Sequence, residues 1–569
     1  MSGKVGMAWV GELRSGAQWL VHRLAGLGPQ RADFRAMTHD PRRDVVAGIT
    51  VGVVALPLAL AFGVSSGLGA GAGLITAIVA GFVAAVFGGS NLQVSGPTGA
   101  MTVVLVPIIA TYGTDGVLVV GLLAGAILLV MAVAGLGRYV QFIPLPVIEG
   151  FTLGIAVIIA LQQVPAALGV TVEGEGVAAL ALKAVAEWLR DPQVWPLVLS
   201  AGVATIMLVG SRVKSPIPMS LVGIAVATIL AQALDLSVAR IGSLPRSLPM
   251  PSLPEMHWET VRILVVPALA VAALGALESL LSATVADSMS QHERHDPDRE
   301  LFGQGLANLA SPLFGGIPAT AAIARTAVNV RSGARSRLAA ITHSLVLVVV
   351  VLALAPVVGA IPLAALAGVL VATAARMVEV SSIGTLMRAT RRDALALVAT
   401  AVATVALDLV TAVIIGVALA GVAALRAMAK STSLDEVPLV EPTTAEADDE
   451  LYDPHIIAYR LEGSLFFGAA HEALVGLSEV ADLKVVILRL SRVNVLDATG
   501  GMVLRDTIVQ LHRRGVVVLL SGVKDPHGRV LETLGVTELI GGEEHLFDEA
   551  SSAVAHARAH VAGTYVHAS

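Results

Sequence analysis

Two stretches of the sequence decide the fold: FGGSNLQVSGPTGAM at residues 87–101 and FGGIPATAAIARTAV at residues 314–328. Each combines glycine with proline inside an apolar region, where proline removes a helix hydrogen bond and interrupts a continuous helix. Both begin with Phe-Gly-Gly, and they start 227 residues apart. Glycine and proline are common in membrane helices generally. Two such segments in register, however, favour an inverted repeat with a binding site between its halves.

The composition places most of the chain in a lipid bilayer. Of 569 residues, 55% are hydrophobic and only 14% are charged, whereas soluble proteins average roughly 25% charged residues. The absence of cysteine excludes a disulfide scaffold, cysteine-ligated zinc, an iron–sulfur cluster and thiol catalysis. The net charge of -6 argues against binding to nucleic acid.

Windows without charge locate the membrane spans. No Asp, Glu, Lys or Arg occurs at residues 45–114 or 338–375, and a helical span needs about 20 apolar residues. Continuing along the chain gives about fourteen candidates, and the two interrupted stretches fall in the third and the tenth. Because these numbers differ by seven, an odd number, the second half is predicted to lie inverted relative to the first. The candidates are 45–62, 70–88, 94–111, 116–136, 146–165, 194–211, 217–235, 261–285, 301–313, 318–331, 338–356, 360–375, 392–408 and 409–427.

Charges outside the spans indicate how the chain is oriented. Residues 178–190 carry Lys183, Glu187 and Arg190 at helical spacing, which predicts an interfacial amphipathic helix. Basic residues precede span one and recur in loops after even-numbered spans, so both termini are predicted to be cytoplasmic. The apolar stretches of the first 43 residues are too short for a cleaved signal. We therefore expect the mature chain to start at or near Met1. The protein is expected in the inner or plasma membrane.

The interrupted spans favour a negatively charged substrate. A broken helix presents unpaired N–H groups at its N-terminus, equivalent to roughly half a positive charge, and two such ends aimed at one point favour an anion. Arg325 adds a full charge within span ten, where an ionisable residue usually faces the protein interior. The alternatives are that Arg325 extends to the membrane interface or forms only a structural pair. Its position seven residues after Pro318 argues against the first.

A second ionisable residue lies within span eight. Glu278 occurs in the apolar run ALAVAALGALESLLSATVADS at residues 268–288. A carboxylate at that depth needs either a proton or a nearby cation. Three roles stay open: Glu278 pairs with Arg325, it carries a coupling proton, or it holds Na⁺ together with Ser282, one helical turn later.

Residues 93–107 (QVSGPTGAMTVVLVP) and 305–336 (GLANLASPLFGGIPATAAIARTAVNVRSGARS) resemble the sulfate permease family of anion transporters, over nearly the whole chain. The resemblance implies two inverted seven-span repeats, with a core domain of spans one to four and eight to eleven, a gate domain, and an elevator movement of the core. It places the anion between half-helices three and ten. The matching positions are Gly96, Thr98, Gly99, Ala319, Thr320 and Arg325. Glu278 and Ser282 match the cation site of sodium-dependent bicarbonate members.

Span one bears on which anion is carried. It reads ALPLALAFGVSSG at residues 55–67 and is similar to bicarbonate-type bacterial members. Many sulfate-type members have glutamine after the proline, whereas here Leu58 follows Pro57, so bicarbonate gains over sulfate. Phe62 is added to the anion-binding set; the alternative is that Phe62 and Pro57 only shape and pack the helix. A proton-coupled symporter of a small dicarboxylate such as fumarate stays open.

The composition changes after Lys430. Residues 431–453 are acidic and lack Lys and Arg, as in a solvated, poorly ordered linker. Beyond them strands and helices alternate, including a helix at 469–479 and strand-like TELI at 537–540, which predicts a mainly parallel α/β sheet. The loop SRVNVLDATGG at 491–501 resembles the STAS domain shared with anti-sigma factor antagonists. The predicted domains are a cytoplasmic tail (1–43), a transmembrane transport domain (44–430), the linker (431–453) and a STAS domain (454–569).

Thr499 in that loop has two interpretations. The matching residue of the antagonists is a phosphorylated Ser or Thr, so Thr499 would be a regulatory site at a helix start, where negative charge is favourable. The favoured alternative is that Asp497 and Thr499 cap the helix that follows.

Together these features predict a secondary active anion transporter, not an enzyme, coupled to Na⁺ or H⁺ through Glu278. No cofactor and no metal other than Na⁺ as a coupling ion is expected. The expected partners are a small inorganic or organic anion, the lipid bilayer, a second copy in a homodimer and a regulatory protein at the STAS domain. The rivals are a nucleobase permease of the same fold and, from another class, an anion channel or a membrane-anchored STAS regulator.

Overall fold

The computed structural model describes residues 23–173, 176–210, 218–245, 247–254, 258–290, 294–407, 409–430, 433–439, 453–465 and 483–563. Contacts within the chain group it into two units, residues 1–418 and 419–569. Helices dominate the first unit, and the second contains a five-stranded sheet with helices.

Helices of the first half start at residues that suit a helix N-terminus. Pro41 is the first residue of α2 and Pro146 lies in the first turn of α5, where the missing N–H of proline costs no helix hydrogen bond. Gly169, with φ 72°, ends α6 in the left-handed conformation. The elements are α1 (Arg31–Ala36), α2 (Pro41–Ser65), α3 (Ala70–Phe87), β1 (Ser95–Gly96), α4 (Gly99–Val133), α5 (Leu145–Gln162), α6 (Val164–Leu168), α7 (Val177–Arg190), α8 (Val194–Gly210) and α9 (Met219–Ala233).

Polar caps start two helices of the second half. The Asp296 side chain accepts from the N–H groups of Asp298 and Arg299 at the start of α11, and the Ser336 hydroxyl accepts from the Leu338 N–H at the start of α13. The elements are α10 (Trp258–Met289), α11 (Pro297–Leu313), β2 (Thr320–Ala321), α12 (Ile323–Arg331), α13 (Arg337–Gly359), α14 (Leu363–Met377), α15 (Val380–Ala389), α16 (Arg391–Ala406) and α17 (Leu409–Lys430).

The helices account for the predicted spans. Within the described ranges, eight helical stretches are long and apolar enough to cross a membrane, and α8 and α9 are shorter apolar helices. One of the eight, α4, is long enough to contain both span three and span four. Gly113 (φ 66°, ψ −166°) breaks its helical geometry at the boundary between the two spans. The shorter α11, α12 and α16 correspond to spans nine, ten and thirteen. The helix predicted at 178–190 is confirmed as α7, whose side chains are mostly exposed.

The spans pack into two groups, as the predicted core and gate require. In the core, α11 lies against α3 and α4, α10 lies against α4, and α13 lies against α2 and α3. In the gate, α5 packs against α16, and α8 packs against α9 and α14. Small residues permit the close approaches: a Cβ added at Gly125 of α4 would lie 2.8 Å from the Gly305 carbonyl oxygen of α11.

A short antiparallel ladder joins the two halves of the core. Ser95 of β1 lies opposite Ala321 of β2, and Gly96 lies opposite Thr320. The segments before α4 and α12 therefore run in opposite directions, which confirms the predicted inverted relation of the two stretches.

The second unit is built on one sheet of strand order β3-β4-β5-β6-β7. β3 pairs antiparallel with β4, and the other neighbours are parallel. The first six residues of β5 are all buried, as in a parallel sheet covered on both faces. The elements are β3 (Ser433–Val437), β4 (Ile456–Leu465), β5 (Val485–Leu496), α18 (Ala498–Arg513), β6 (Val517–Ser521), α19 (Asp525–Thr533), α20 (Val536–Leu539), β7 (Leu546–Phe547) and α21 (Ala550–Val561).

Two predictions for this unit are wrong. Ser433–Val437, predicted as part of a poorly ordered linker, form β3, because their backbone pairs with β4 and Val437 is buried. Residues 537–540, predicted as strand-like, fall largely within α20; Gly535 at φ 71° ends α19, and the last strand is β7. The helix predicted at 469–479 lies outside the described residues.

Candidate anion-binding site

The β1–β2 ladder brings two helix N-termini to one place. Thr98 is the N-cap of α4 and Ala322 is the N-cap of α12, and neither side chain makes a capping hydrogen bond. The first N–H groups of both helices are therefore not satisfied by a cap, and both N-termini carry partial positive charge. Such an arrangement suits a small anion.

Arg325 places a full positive charge beside these N-termini. It lies in the first turn of α12 with 1% of its surface exposed. Its Nη2 donates to the Pro97 carbonyl oxygen at 2.9 Å, so the guanidinium ties α12 to the segment before α4. The alternative that Arg325 extends to the membrane interface is therefore wrong. In the interior, the low dielectric strengthens the attraction between this charge and an anion.

Glu278 on α10 contacts the start of α4. Thr98 Oγ1 donates to Glu278 Oε2 at 2.9 Å. No ion pair among the described residues joins Glu278 to Arg325. Direct pairing, one of the three roles left open, is therefore not formed in this structure. The roles in proton and Na⁺ coupling stay predictions.

Ser282 lies one helical turn from Glu278 but contacts α12. Its Oγ donates to Thr326 Oγ1 at 3.0 Å, and the same Thr326 oxygen accepts from the Val94 N–H at 3.2 Å. Carboxylate and hydroxyl oxygens are the ligand type that hard cations prefer. The carboxylate of Glu278 and the hydroxyl of Ser282 are therefore ligand types that suit Na⁺. In this structure, however, the Ser282 hydroxyl bonds to Thr326 of α12 and not to Glu278.

Phe62 and Gly99 meet at the start of α4. Phe62 is buried in α2. A Cβ added at Gly99 would lie 3.2 Å from Phe62 Cε1 and 2.3 Å from Ile159 Cδ1, so this close approach requires glycine. The structure thus brings the predicted span-one residue to the α4 N-terminus, where its ring forms an apolar wall.

The predicted residues of the second stretch are held by side chains outside the predicted set. Asn308 of α11 bonds twice to Ala319: the Ala319 N–H donates to Oδ1 and Nδ2 donates to the Ala319 carbonyl, both at 2.8 Å. Thr320 Oγ1 lies 2.9 Å from Ser279 Oγ, which also accepts from the Ala321 N–H. Ala319 and Thr320 are fully buried, so they shape the backbone of the site.

A sequence signal for Asn308 existed. Gln304, Asn308 and Ser311 are polar residues four and three positions apart in an apolar span, which places them on one helix face. Polar residues within a membrane usually face the interior and bond there. Gln304 Nε2 donates to Ser95 Oγ at 2.7 Å and Ser311 Oγ donates to the Ile317 carbonyl at 2.8 Å, so this face supports both interrupted stretches.

In the second unit, Asp497 caps α18. Its Oδ1 accepts from the Gly500 N–H at 2.7 Å, so the predicted cap is confirmed for Asp497. Thr499 is exposed in the first turn of the helix. Its phosphorylation stays a prediction.

A helical membrane fold of two inverted halves, whose interrupted helices meet around a buried arginine, defines an inverted-repeat transporter fold, here followed by an α/β unit. The chain belongs to the sulfate permease family. The Sulfate permease family profile matches residues 42–400, and the STAS domain profile matches residues 451–553.

Two similar proteins align over most of the chain. The putative sulfate transporter YvdB of Bacillus subtilis is 36% identical over 89% of this chain and 96% of that protein. The bicarbonate transporter BicA of Synechocystis is 32% identical over 90% of this chain and 93% of that protein.

Two solved structures share the fold. The transmembrane domain of a cyanobacterial bicarbonate transporter BicA has a TM-score of 0.61 and 33% identity, covering 66% of this chain and 98% of that one. The murine Slc26a9 anion transporter in the inward-facing state has a TM-score of 0.79 over 91% of both chains. At 17% identity the second match shows the fold alone.

Proposed function

We propose that this protein is a secondary active transporter of a small inorganic anion, which binds between the N-termini of α4 and α12. The observation that carries the proposal is Arg325, buried where two helix N-termini without capping side chains meet. The residues assigned to the anion site are Phe62, Gly96, Thr98, Gly99, Ala319, Thr320 and Arg325.

Bicarbonate is the first substrate to test, followed by sulfate. The similar proteins include a bicarbonate transporter and a putative sulfate transporter. In span one, Leu58 follows Pro57, and Phe62 packs at the start of α4, so this helix offers apolar contacts there. A singly charged anion needs fewer polar partners on burial than doubly charged sulfate. A dicarboxylate such as fumarate is the alternative substrate.

Glu278 is the residue through which the transporter couples to H⁺ or Na⁺. Its carboxylate bonds to Thr98, the N-cap of α4, so a proton or cation arriving there changes the charge beside the anion. Neutralising this carboxylate removes a repulsion and strengthens anion binding. Linkage requires the reverse as well, so a bound anion strengthens binding of the coupling ion.

The core group of spans moves past the gate group as an elevator, which the packing of the spans into two groups supports. Both termini lie on the cytoplasmic side of the inner or plasma membrane, in keeping with the basic loops. The transporter works as a homodimer, and its STAS domain receives a regulatory protein or phosphate at Thr499.

The test is uptake by purified protein in liposomes, with labelled bicarbonate, sulfate and fumarate under imposed Na⁺ or proton gradients. Arg325→Gln should lower anion affinity about 100-fold, since a charged interaction worth roughly 2–3 kcal/mol is lost. Arg262→Gln is the matched control, because Arg262 is exposed on α10. Unchanged affinity in Arg325→Gln would refute the site.

Coupling is tested with Glu278→Gln, which should keep anion binding and lose its dependence on the gradient. Glu259→Gln, exposed in the first turn of the same helix, is the control. Gradient dependence that survives in Glu278→Gln would return this residue to a structural role. Accumulation of fumarate alone would identify a dicarboxylate as the substrate. Currents far above carrier rates would indicate an anion channel, and no uptake of any anion would favour a membrane-anchored STAS regulator.

A further inference from the structure

His343 is a buried polar side chain that the proposed transport site does not use. It lies in α13 with 0% of its surface exposed. Across the described part of the chain, neither of its ring nitrogens has a hydrogen-bond partner. Buried polar groups are nearly always bonded to protein or to water, so the surroundings of this ring need a physical explanation.

The ring lies against α3 and beside the backbone of β1. A Cβ added at Gly81 of α3 would lie 3.0 Å from Ser344 Oγ, 3.1 Å from the Ser95 carbonyl oxygen and 3.8 Å from His343 Cε1. The His343 ring, the Ser344 hydroxyl and the Ser95 carbonyl oxygen of the first interrupted stretch therefore border one gap between α3 and β1, into which residue 81 projects no side chain.

Arg325 approaches the same helix one turn earlier. A Cβ added at Gly96 would lie 2.6 Å from Arg325 Nη1 and 3.3 Å from Ala77 Cα. Nη1 is buried and has no hydrogen-bond partner among the described residues, unlike Nη2, which bonds to Pro97. Two buried side chains with unpartnered nitrogens thus lie along one face of α3.

The separation suits a single bridging water. Ala77 and Gly81 are four residues apart, which is about 6 Å along a helix. Two hydrogen bonds of about 2.9 Å that meet at one tetrahedral water join atoms roughly 5 Å apart, which is the scale of one helical turn. The residues that border this space on α3 and β1, Ala77, Gly81 and Gly96, have small side chains or none, and a buried water typically makes about three hydrogen bonds.

We propose that His343 is a positioning residue for Arg325, acting through one buried water in the gap between α3 and β1. Arg325 Nη1 donates to the water oxygen. The water donates one proton to an unprotonated ring nitrogen of His343 and the other to the Ser95 carbonyl oxygen. Only the neutral imidazole has a ring nitrogen that accepts a hydrogen bond, so His343 acts in its neutral form.

This bridge holds the guanidinium at its second nitrogen. The Pro97 carbonyl fixes Nη2 and the water fixes Nη1, so the charge stays at the helix N-termini before an anion arrives. Preorganisation of this kind strengthens binding, because the free site has less disorder to lose. The inference rests on the proposed function, since it assumes that Arg325 attracts the anion.

The test compares binding and uptake of labelled bicarbonate and sulfate by the full-length His343→Leu and His343→Gln variants in liposomes. Leucine fills a similar volume without a hydrogen bond, whereas glutamine keeps an acceptor oxygen. His343→Leu should raise the anion Kd and KM about ten-fold, with little change in kcat, because one hydrogen bond to a charged group is lost. His343→Gln should restore most of the affinity.

Thr342→Val is the matched control. Thr342 is the preceding residue of α13 and packs against α2, where a Cβ added at Gly48 would lie 2.5 Å from Thr342 Cβ, so no change in KM is expected. A wild-type KM in His343→Leu, or equal losses in the Leu and Gln variants, would overturn the positioning role. Arg325→Gln separates the two proposals: if it also keeps anion affinity, the proposed site itself fails.

Gly81→Ala tests the same gap if His343→Leu does not fold. The added methyl group would lie 3.0 Å from Ser344 Oγ, 3.1 Å from the Ser95 carbonyl oxygen and 3.8 Å from His343 Cε1, where it displaces the water and keeps the polar side chains. The same rise in KM is expected. An unchanged KM in a folded Gly81→Ala protein would refute the bridge.

Discussion

At the scale of single residues, Gly96 and Arg325 occupy adjoining space. Gly96 has φ 153°, and a Cβ there would stand 2.6 Å from Arg325 Nη1. The guanidinium therefore packs directly on the glycine backbone. Position 96 decides whether Arg325 can reach the Pro97 carbonyl, since any side chain must displace either the arginine or the ladder.

Gly96→Ala should accordingly weaken anion binding about ten-fold or more, the loss expected for one charged hydrogen bond. The measurement is the anion Kd of purified protein. Gly113→Ala is the matched control: Gly113 also has a positive φ, 66°, but no atom lies within 4 Å of its added Cβ. Equal losses in both variants would attribute the effect to backbone strain and not to displacement of Arg325.

A site residue can be predicted from the sequence when its signal is local, and is hard to predict when its hydrogen-bond partner is distant in the chain. Arg325 and Thr98 could be named because the Gly/Pro stretches that contain them stand out locally. Ser279 was missed because its partner on β2 is 42 residues away, and the sequence does not show which face of α10 meets the ladder. Asn308 is not among the predicted residues although its partner is only 11 residues away; its polar spacing with Gln304 and Ser311 on α11 is the local signal that points to it.

At the scale of elements, two ion pairs hold helix α1 against the core helices. Asp33 Oδ2 lies 2.6 Å from Arg299 Nη2 of α11, and Asp33 Oδ1 lies 3.3 Å from Arg337 Nη2 of α13. Burial raises the pKa of Asp33, but the Gln30 N–H and the two guanidinium groups outweigh this effect and hold its pKa below 3.8. The sequence predicted only a basic tail here, because the partners of Asp33 are hundreds of residues away.

Asp33→Asn should destabilise the protein by about 3 kcal/mol at neutral pH, because it removes the carboxylate that pairs with both Arg299 and Arg337. Since the folded-state pKa is lowered, the stabilisation is complete above the ordinary value of 3.8 and is lost as pH falls through the lowered value. Thermal unfolding in detergent between pH 7 and pH 2 should therefore show a difference between the two proteins that is constant above pH 3.8 and narrows below it.

Asp40→Asn is the control for that series, since Asp40 at the start of α2 makes no ion pair among the described residues. Its unfolding temperature should match that of the unaltered protein. A difference between Asp33→Asn and the unaltered protein that stays constant down to pH 2 would show that the carboxylate charge is not what holds α1 against the core.

At the scale of the whole molecule, the two units differ in how well the sequence predicts them. Lipid demands that each span satisfy its own backbone, so charge-free windows predict the helices of the first unit. Strands carry less local information. The acidic composition of residues 431–453, without Lys or Arg, predicts a linker where β3 forms, yet Val437 and Leu439 are buried in one cluster with Ile456 and other sheet residues.

The boundary of the second unit therefore has a measurable consequence. A fragment of residues 431–569 keeps β3, whereas 454–569 loses it and exposes the edge of β4, which invites association between copies. The first fragment also keeps Val437 and Leu439. Arg489 Nη2 donates to the carbonyl oxygens of Pro438 and Leu439, at 3.1 and 3.0 Å, and holds this segment on the sheet. Burying two such side chains contributes about 1.5–3 kcal/mol each.

We expect the free energy of unfolding in urea to be about 4 kcal/mol higher for fragment 431–569 than for fragment 454–569. This value lies within the sum of the two burial contributions. The shorter fragment should also sediment as concentration-dependent oligomers. Leu439→Ala in the longer fragment should fall between the two, because it removes one core contact and keeps the β3 ladder. Equal stability of the two fragments would mean that β3 contributes nothing to the sheet, and that residues 431–453 serve only to connect the two units.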